Sequence, residues 1–338
     1  MENDKQRIPS VDLFKYFCAI LVIAIHTRPL EEINPLLGFA ASDVVTRIAV
    51  PFFFTAFGYF YFQKRINGEK AFMRSFQRLL MVYSLWSMVY FLIIFFQWGY
   101  TNIKGYLVDC VLGFFLYGSY YHFWFFPALL FALCICELFL RLGWSRLLIP
   151  LSIVLFATGC LGCSYYSLCK DLPFLGSLFS HSQFNTIRRM ILMGFPFFAG
   201  GYVVHLVKDR CSSRAWNIAW ACVFLAWIGE IIFVSRKGYQ RNVILTFALY
   251  PYTLLTLIEL LLHPAPKLGQ FTKDLKKISG LTYYAHPLFI LFLSAAYRAV
   301  ADQAIPNTLL FTLTVFSTMF VGKLFCRINK PFLNRLMS

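Results

Sequence analysis

The chain has 338 residues, of which 59% are hydrophobic, 19% aromatic and only 14% charged, and its mean hydropathy is +0.65. A soluble domain carries roughly 25% charged residues, so this chain lacks the means to cover a water-facing surface. That excludes an ordinary cytosolic enzyme, a disordered protein and a disulfide-stapled secreted domain, and leaves a multi-pass membrane protein. The formal net charge is +16, from 31 Lys and Arg against 15 Asp and Glu. In a soluble protein that excess would point to nucleic acid. Here the cations flank apolar runs, the habit of cytoplasmic loops, and no nucleic-acid partner is expected.

Met1 to Ser10 are polar and lack the small-residue cleavage site of a signal peptide, so the first helix is expected to be retained. Apolar runs of about 17–25 residues then predict ten spans, over 10–28, 43–63, 76–97, 121–141, 146–163, 186–206, 215–235, 242–262, 279–300 and 306–328. The apolar segment 103–118 is shorter and reads as an interfacial or re-entrant helix. Lys64, Arg65, Lys70, Arg74 and Arg78 surround the second loop, Lys208, Arg210 and Arg214 the sixth, and Lys267, Lys273, Lys276 and Lys277 the eighth. Lys323, Arg327, Lys330 and Arg335 mark the C-terminus. An even number of spans with both termini in the cytoplasm fits this pattern. The seventh loop, with Arg236, Lys237 and Arg241, breaks it. The expected fold is an all-α transmembrane helical bundle forming one integral-membrane domain over 1–338, with no appended soluble domain. Any chemistry then lies within the membrane part.

Ionisable groups inside apolar spans cost several kcal/mol and are functional candidates by default. In the first span Asp12 and Lys15 precede His26. Eleven residues at 100° each leave an offset of only about 20°, so Lys15 and His26 share a helix face, roughly 16 Å apart along the axis. Lys15 falls toward the cytoplasm and His26 toward the outer third. A neutral imidazole at His26 can take a proton from an attacking hydroxyl; the plain alternative is a core histidine bonded to a backbone carbonyl. Asp12 either pairs with Lys15 one turn on or caps the helix after Ser10. Arg74 and Arg78 lie one turn apart at a helix start, where paired forks suit phosphate oxygens. Arg47, at the outer start of the second span, is a candidate for holding an acceptor or an oxyanion. His122 stands among Tyr120, Tyr121 and Trp124, which fits either an aromatic belt or a sugar-stacking surface. His286 falls in the cytoplasmic third of the ninth span, where contact with a donor is expected. Cys160, Cys163 and Cys169 cluster near one helix end, yet no His or carboxylate completes a metal-ligand spacing, and no metal is expected. No Gly-rich phosphate loop, zinc-protease His pair or Gly-x-Ser-x-Gly nucleophile appears, so a hydrolase or an ATP-driven pump is unsupported.

The Asp12, Lys15 and His26 spacing resembles the first helix of the membrane acyltransferase-3 family. Arg47-Ile-Ala-Val50-Pro51-Phe52-Phe53-Phe54 is similar to its second-helix motif, and Arg74 and Arg78 to its cytoplasmic arginine motif. His122-Phe-Trp124-Phe-Phe-Pro127-Ala-Leu-Leu and Gly280 with Tyr284-Ala-His286-Pro287 resemble two later motifs, and Arg188 before Gly194-Phe-Pro-Phe a further basic position. The resemblance runs through essentially the whole chain in order. It implies an enzyme of the bacterial plasma membrane that takes acetyl-CoA or another acyl-CoA as donor and acylates an extracytoplasmic glycan or small hydroxyl-bearing acceptor. His26, Lys15, Asp12 and Arg47 are then the catalytic candidates. Arg74, Arg78 and His286 are candidates for the donor, and His122, Trp124 and Arg188 for the acceptor. Lys15 stands where the family most often has Arg, Arg74 and Arg78 are spaced by four, and Phe57 precedes Gly58 where Ser is common. Lys at the first position is similar to the membrane part of vancomycin-resistance serine racemases, which keeps a transporter of a small polar solute, such as an amino acid, as the alternative.

Overall fold

The structure is a computed structural model that describes residues 8–68, 70–98, 102–265, 269–328 and 330–337. Residues 1–7 and Lys267, named above, lie outside the described residues. In chain order the helices are α1 (Pro9–Thr27), α2 (Pro35–Phe39), α3 (Ala49–Ile66), α4 (Ala71–Trp98), α5 (Ile103–Leu112), α6 (Phe125–Arg141), α7 (Leu148–Gly162) and α8 (Tyr166–Cys169). They continue as α9 (Pro173–Ser180), α10 (Phe184–Ile187), α11 (Phe195–Val207), α12 (Ser213–Lys237), α13 (Leu249–Leu262), α14 (Gly269–Ala301), α15 (Asn307–Ile328) and α16 (Pro331–Met337). No strand occurs among the described residues, and eight helical stretches there are long and apolar enough to cross a bilayer. The all-α multi-pass architecture expected from the sequence is present.

Two expected spans are shorter helices. The span placed at 121–141 is α6, of 17 residues, because residues 119–124 form a turn. Gly118 makes that turn: its φ is 89°, and a Cβ there would lie 2.2 Å from the Trp124 amide nitrogen. Only glycine meets both demands without strain. The span placed at 242–262 is α13, of 14 residues. α12 stops at Gly238, which takes the left-handed conformation at its C-cap. The Glu230 carboxylate of α12 then accepts the amides of Phe247 (2.7 Å) and Ala248 (2.8 Å), donors left over where α13 begins.

The chain divides into two compact units, one containing the described residues of Met1–Phe53 and Thr256–Ser338, the other Phe54–Leu255. In the first unit α1, α14 and α15 pack together, with α16 against α14. A Cβ at Gly280 would meet the Met337 carbonyl at 2.5 Å, so that glycine admits the C-terminal helix. In the second unit α6, α7 and α11 form the packed centre. A Cβ at Gly201 of α11 would lie 2.2 Å from the Tyr59 amide nitrogen and 2.7 Å from the Thr55 carbonyl of α3. The two backbones cross where no side chain fits, the habit of small residues at membrane helix contacts. Gly201→Ala should therefore cost about 1–3 kcal/mol of stability or more, whereas Gly229→Ala, with nothing within 4 Å of the added methyl, should be neutral or gain up to ~1 kcal/mol. Thermal melting of the two purified variants checks the contrast.

Cys160, Cys163 and Cys169 are all buried, and Cys169 packs with Phe179, Phe184 and Leu192 in a satellite core under residues 164–187. There it serves as a small apolar group. The basic seventh loop also has a structural use. Arg241 donates from its guanidinium to the Phe179 carbonyl at 3.1 Å and stands 5.6 Å over the Tyr166 ring. Tyr165, beside this loop, donates to Glu230 at 2.9 Å; burial first, and then that carboxylate, push its phenol well above the usual range.

Candidate functional site

In the first unit, α1 runs unbroken from Pro9 to Thr27, so Lys15 and His26 do share a face. The helix is N-capped by Ile8 with no side-chain cap, and Ser10 donates its hydroxyl to the Leu260 carbonyl at 2.5 Å. Asp12 is buried within the first turn.

The helix that carries His286 begins at Gly269, ten residues before the expected start, and His286 lies midway along it. The His26 and His286 rings stack with centroids 5.4 Å apart and planes 18° from parallel. His286 is fully buried. Its Nδ1 lies 2.9 Å from the Tyr283 carbonyl and 3.2 Å from that of Thr282. A carbonyl can only accept, so Nδ1 carries the proton and a neutral ring keeps its lone pair on Nε2. The next residue explains the bond. Pro287 sits inside the helix, has no N–H, and leaves the Tyr283 carbonyl without its i+4 donor. The His-Pro dipeptide therefore frees a carbonyl and fills it with the imidazole, fixing the tautomer.

Near His26 the chain leaves α1 through Arg28, whose φ of 50° is left-handed. Its Nε donates to Glu31 at 2.6 Å, and its terminal nitrogen reaches Asp43 at 3.2 Å. Asp43 lies in a π-helical turn, Ala40–Val44, followed by a 3₁₀ turn, Val45–Ile48, that carries Arg47. Arg47 pairs with the Asp43 carboxylate and donates Nε to its carbonyl at 2.8 Å. Asp43 thus ties two guanidiniums together. The Arg47 to Asp43 spacing of four was legible; the link to Arg28 was not.

In the second unit His122 is buried at the turn before α6, ringed by Tyr90 at 5.2 Å, Tyr121 at 5.5 Å, Tyr120 at 5.9 Å and Phe123 at 4.0 Å. Trp124 faces Arg189, whose guanidinium stands 5.2 Å over the indole, a cation–π geometry. Arg188, the predicted residue, opens the π-helical stretch Arg188–Gly194 and is buried, and its Nε has no hydrogen-bond partner among the described residues. Wide π turns inside helices recur at functional positions. The sequence reading missed Arg189; its signal was a second arginine in the same apolar run. Arg74 and Arg78 lie exposed on the first two turns of α4. Segment 103–118 is a separate short helix ending in a π turn, held by the Tyr83 hydroxyl donating to the Phe114 carbonyl at 2.8 Å.

Fold and site together define a multi-pass, all-α membrane protein with a stacked imidazole pair, His286 buried and His26 part-buried. Residues 8–327 match the acyltransferase-3 family, described as "Acyltransferase domain", and the chain belongs to that family. Its membership supports a membrane acyltransferase. The chain is also similar to proteins named amino-acid racemase from Enterococcus faecalis, one of them 27% identical over 335 residues, covering 96% of this chain and 47% of the relative. A serine/alanine racemase from Enterococcus gallinarum is 29% identical over 171 residues, 48% of this chain and 24% of the relative. The chain spans less than half the length of these curated relatives. No solved structure matches it significantly.

Proposed function

We propose that this chain moves an acyl group, acetyl in the simplest case, from cytoplasmic acyl-CoA to a hydroxyl of an extracytoplasmic acceptor, a cell-envelope glycan or a smaller alcohol. It would do so in a bacterial plasma membrane with both termini in the cytoplasm. The observation that carries this reading is the His26–His286 pair in a chain of the acyltransferase-3 family. The imidazole pair takes the proton of the acceptor hydroxyl as its oxygen bonds to the thioester carbonyl carbon. Arg47, steadied by Asp43, faces the developing oxyanion. As the C–S bond breaks, the proton passes from imidazolium to the leaving thiolate, so the histidines end as they began. Lys15 and Asp12 lie lower on the same helix as a charged partner for the donor's path. Arg74 and Arg78 take donor phosphates; His122, Trp124 and Arg188 take the acceptor.

Membranes supplied with acetyl-CoA and acceptor should release free CoA, and mass spectrometry of envelope glycans with and without the protein should reveal the acylated species. No thioester consumption with any acceptor would sink the reading. Replacing Arg74 or Arg78 with Ala should weaken CoA affinity about tenfold or more and leave the fold intact, since both are exposed. Unchanged affinity in both returns them to ordinary positive-inside residues. The racemase names of the relatives, with Lys15 in the first helix, favour one second reading: a transporter of a small polar solute such as an amino acid. It would move solute with no thioester consumed.

A further inference from the structure

In the second unit, Glu137 of α6 has a side chain only 5% exposed and accepts three donors. They are the Tyr61 hydroxyl at 2.5 Å, Arg65 Nε at 3.0 Å and Arg141 Nε at 2.7 Å. Tyr61 and Arg65 are one turn apart on α3, as are Glu137 and Arg141 on α6, so α3 presents two donors, and α6 one, to the carboxylate that α6 itself carries. One negative charge holds two guanidiniums, which leaves an excess of +1. Both arginines spend Nε inward on Glu137, and Arg65 also meets the Tyr61 side chain. The two side chains nevertheless remain 35% and 62% exposed. Arg141 is further fixed 5.4 Å over the Phe72 ring, in the first turn of α4. An exposed arginine gains little from its ion pair and loses rotamer freedom in making it. Two guanidiniums held by one carboxylate and still within reach of solvent are, however, suited to the capture of phosphate oxygens.

We propose that Arg65 and Arg141, organised by Glu137, form a binding site for a phosphate-bearing anion at the end of the second unit where α3 finishes and α4 begins. The phosphate belongs either to a soluble nucleotide such as coenzyme A or to an anionic lipid headgroup; the first source rests on the acyl-CoA reading and the second does not. Glu137 acts as a positioning residue.

The test uses the full chain in phosphatidylcholine nanodiscs, with coenzyme A titrated against wild type, Arg65→Gln, Arg141→Gln and Arg141→Lys. In parallel, native mass spectrometry counts the phosphatidylglycerol retained by the same proteins from mixed membranes. A fall of about tenfold in coenzyme A affinity in the Gln variants, only partly restored by Lys, assigns the site to the soluble phosphate. Unchanged coenzyme A binding with loss of retained phosphatidylglycerol assigns it to the lipid. If both readouts match wild type, the proposal is overturned and the triad is an ion pair alone. Should wild type bind no coenzyme A, the acyl-CoA reading fails while the lipid arm still decides this site. If Arg141→Gln does not fold, Arg141→Lys, which keeps the charge and loses the planar fork, carries the same comparison.

Discussion

Replacing His26 with Gln should leave coenzyme A binding close to wild type and cut acyl transfer by about 10²–10⁴-fold, the usual scale for acid–base catalysis. Glutamine keeps a hydrogen-bonding group of similar reach but cannot take up and return a proton. Packing should survive the change, because His26 is only part-buried and sits near the end of a 19-residue helix whose buried residues from Cys18 to Ala24 are apolar. The measurement is CoA release by the purified variant, with donor affinity determined on the same sample. Near-full transfer by the Gln variant would reduce His26 to a hydrogen-bonding group. Lys15→Arg, which restores the residue commoner in this family, should be tolerated by an acyltransferase. Abolished solute uptake in Lys15→Arg cells, with no acyl product from either form, would favour the transporter.

What could be read from the sequence depended on how local the deciding contact was. The shared face of Lys15 and His26 follows from helix geometry alone, and it holds because nothing interrupts α1. The start of α14 was not legible because the polar stretch ending in Lys276 and Lys277 looks like a loop, whereas it forms the first turns of that helix. The stacking of His286 on His26 comes from the packing of α1 against α14, a contact between residues far apart in sequence. Glu137 gave no local signal, since Tyr61 and Arg65 are 76 and 72 positions away in sequence. The cations of the seventh loop contradicted a charge rule that counts loops. Arg241 is instead spent on a carbonyl and a ring of the segment beside it. Hydropathy likewise extended the eighth span back to 242, because it cannot see that Glu230 of the preceding helix caps α13 from the side.

His286→Gln should lower acyl transfer by a factor of about 10²–10⁴, and Pro287→Ala should lower it without touching the imidazole itself. The second variant tests the cause. Alanine at 287 supplies the N–H that the Tyr283 carbonyl otherwise lacks, so the backbone bond competes with His286 Nδ1 for that acceptor. Removing a proline from a helix interior favours helix stability, so a loss of activity in a protein that melts no lower than wild type could not be blamed on unfolding. The readout separating positioning from structure is the tautomer. In protein labelled with nitrogen-15 at histidine, wild-type His286 should carry its proton on Nδ1, and Pro287→Ala should shift the ring toward a mixture of tautomers. A wild-type spectrum with the proton on Nε2 would remove His286 as proton acceptor. In that case the stacked ring at 5.4 Å would serve only to hold His26 in place, and Pro287→Ala would leave turnover unchanged.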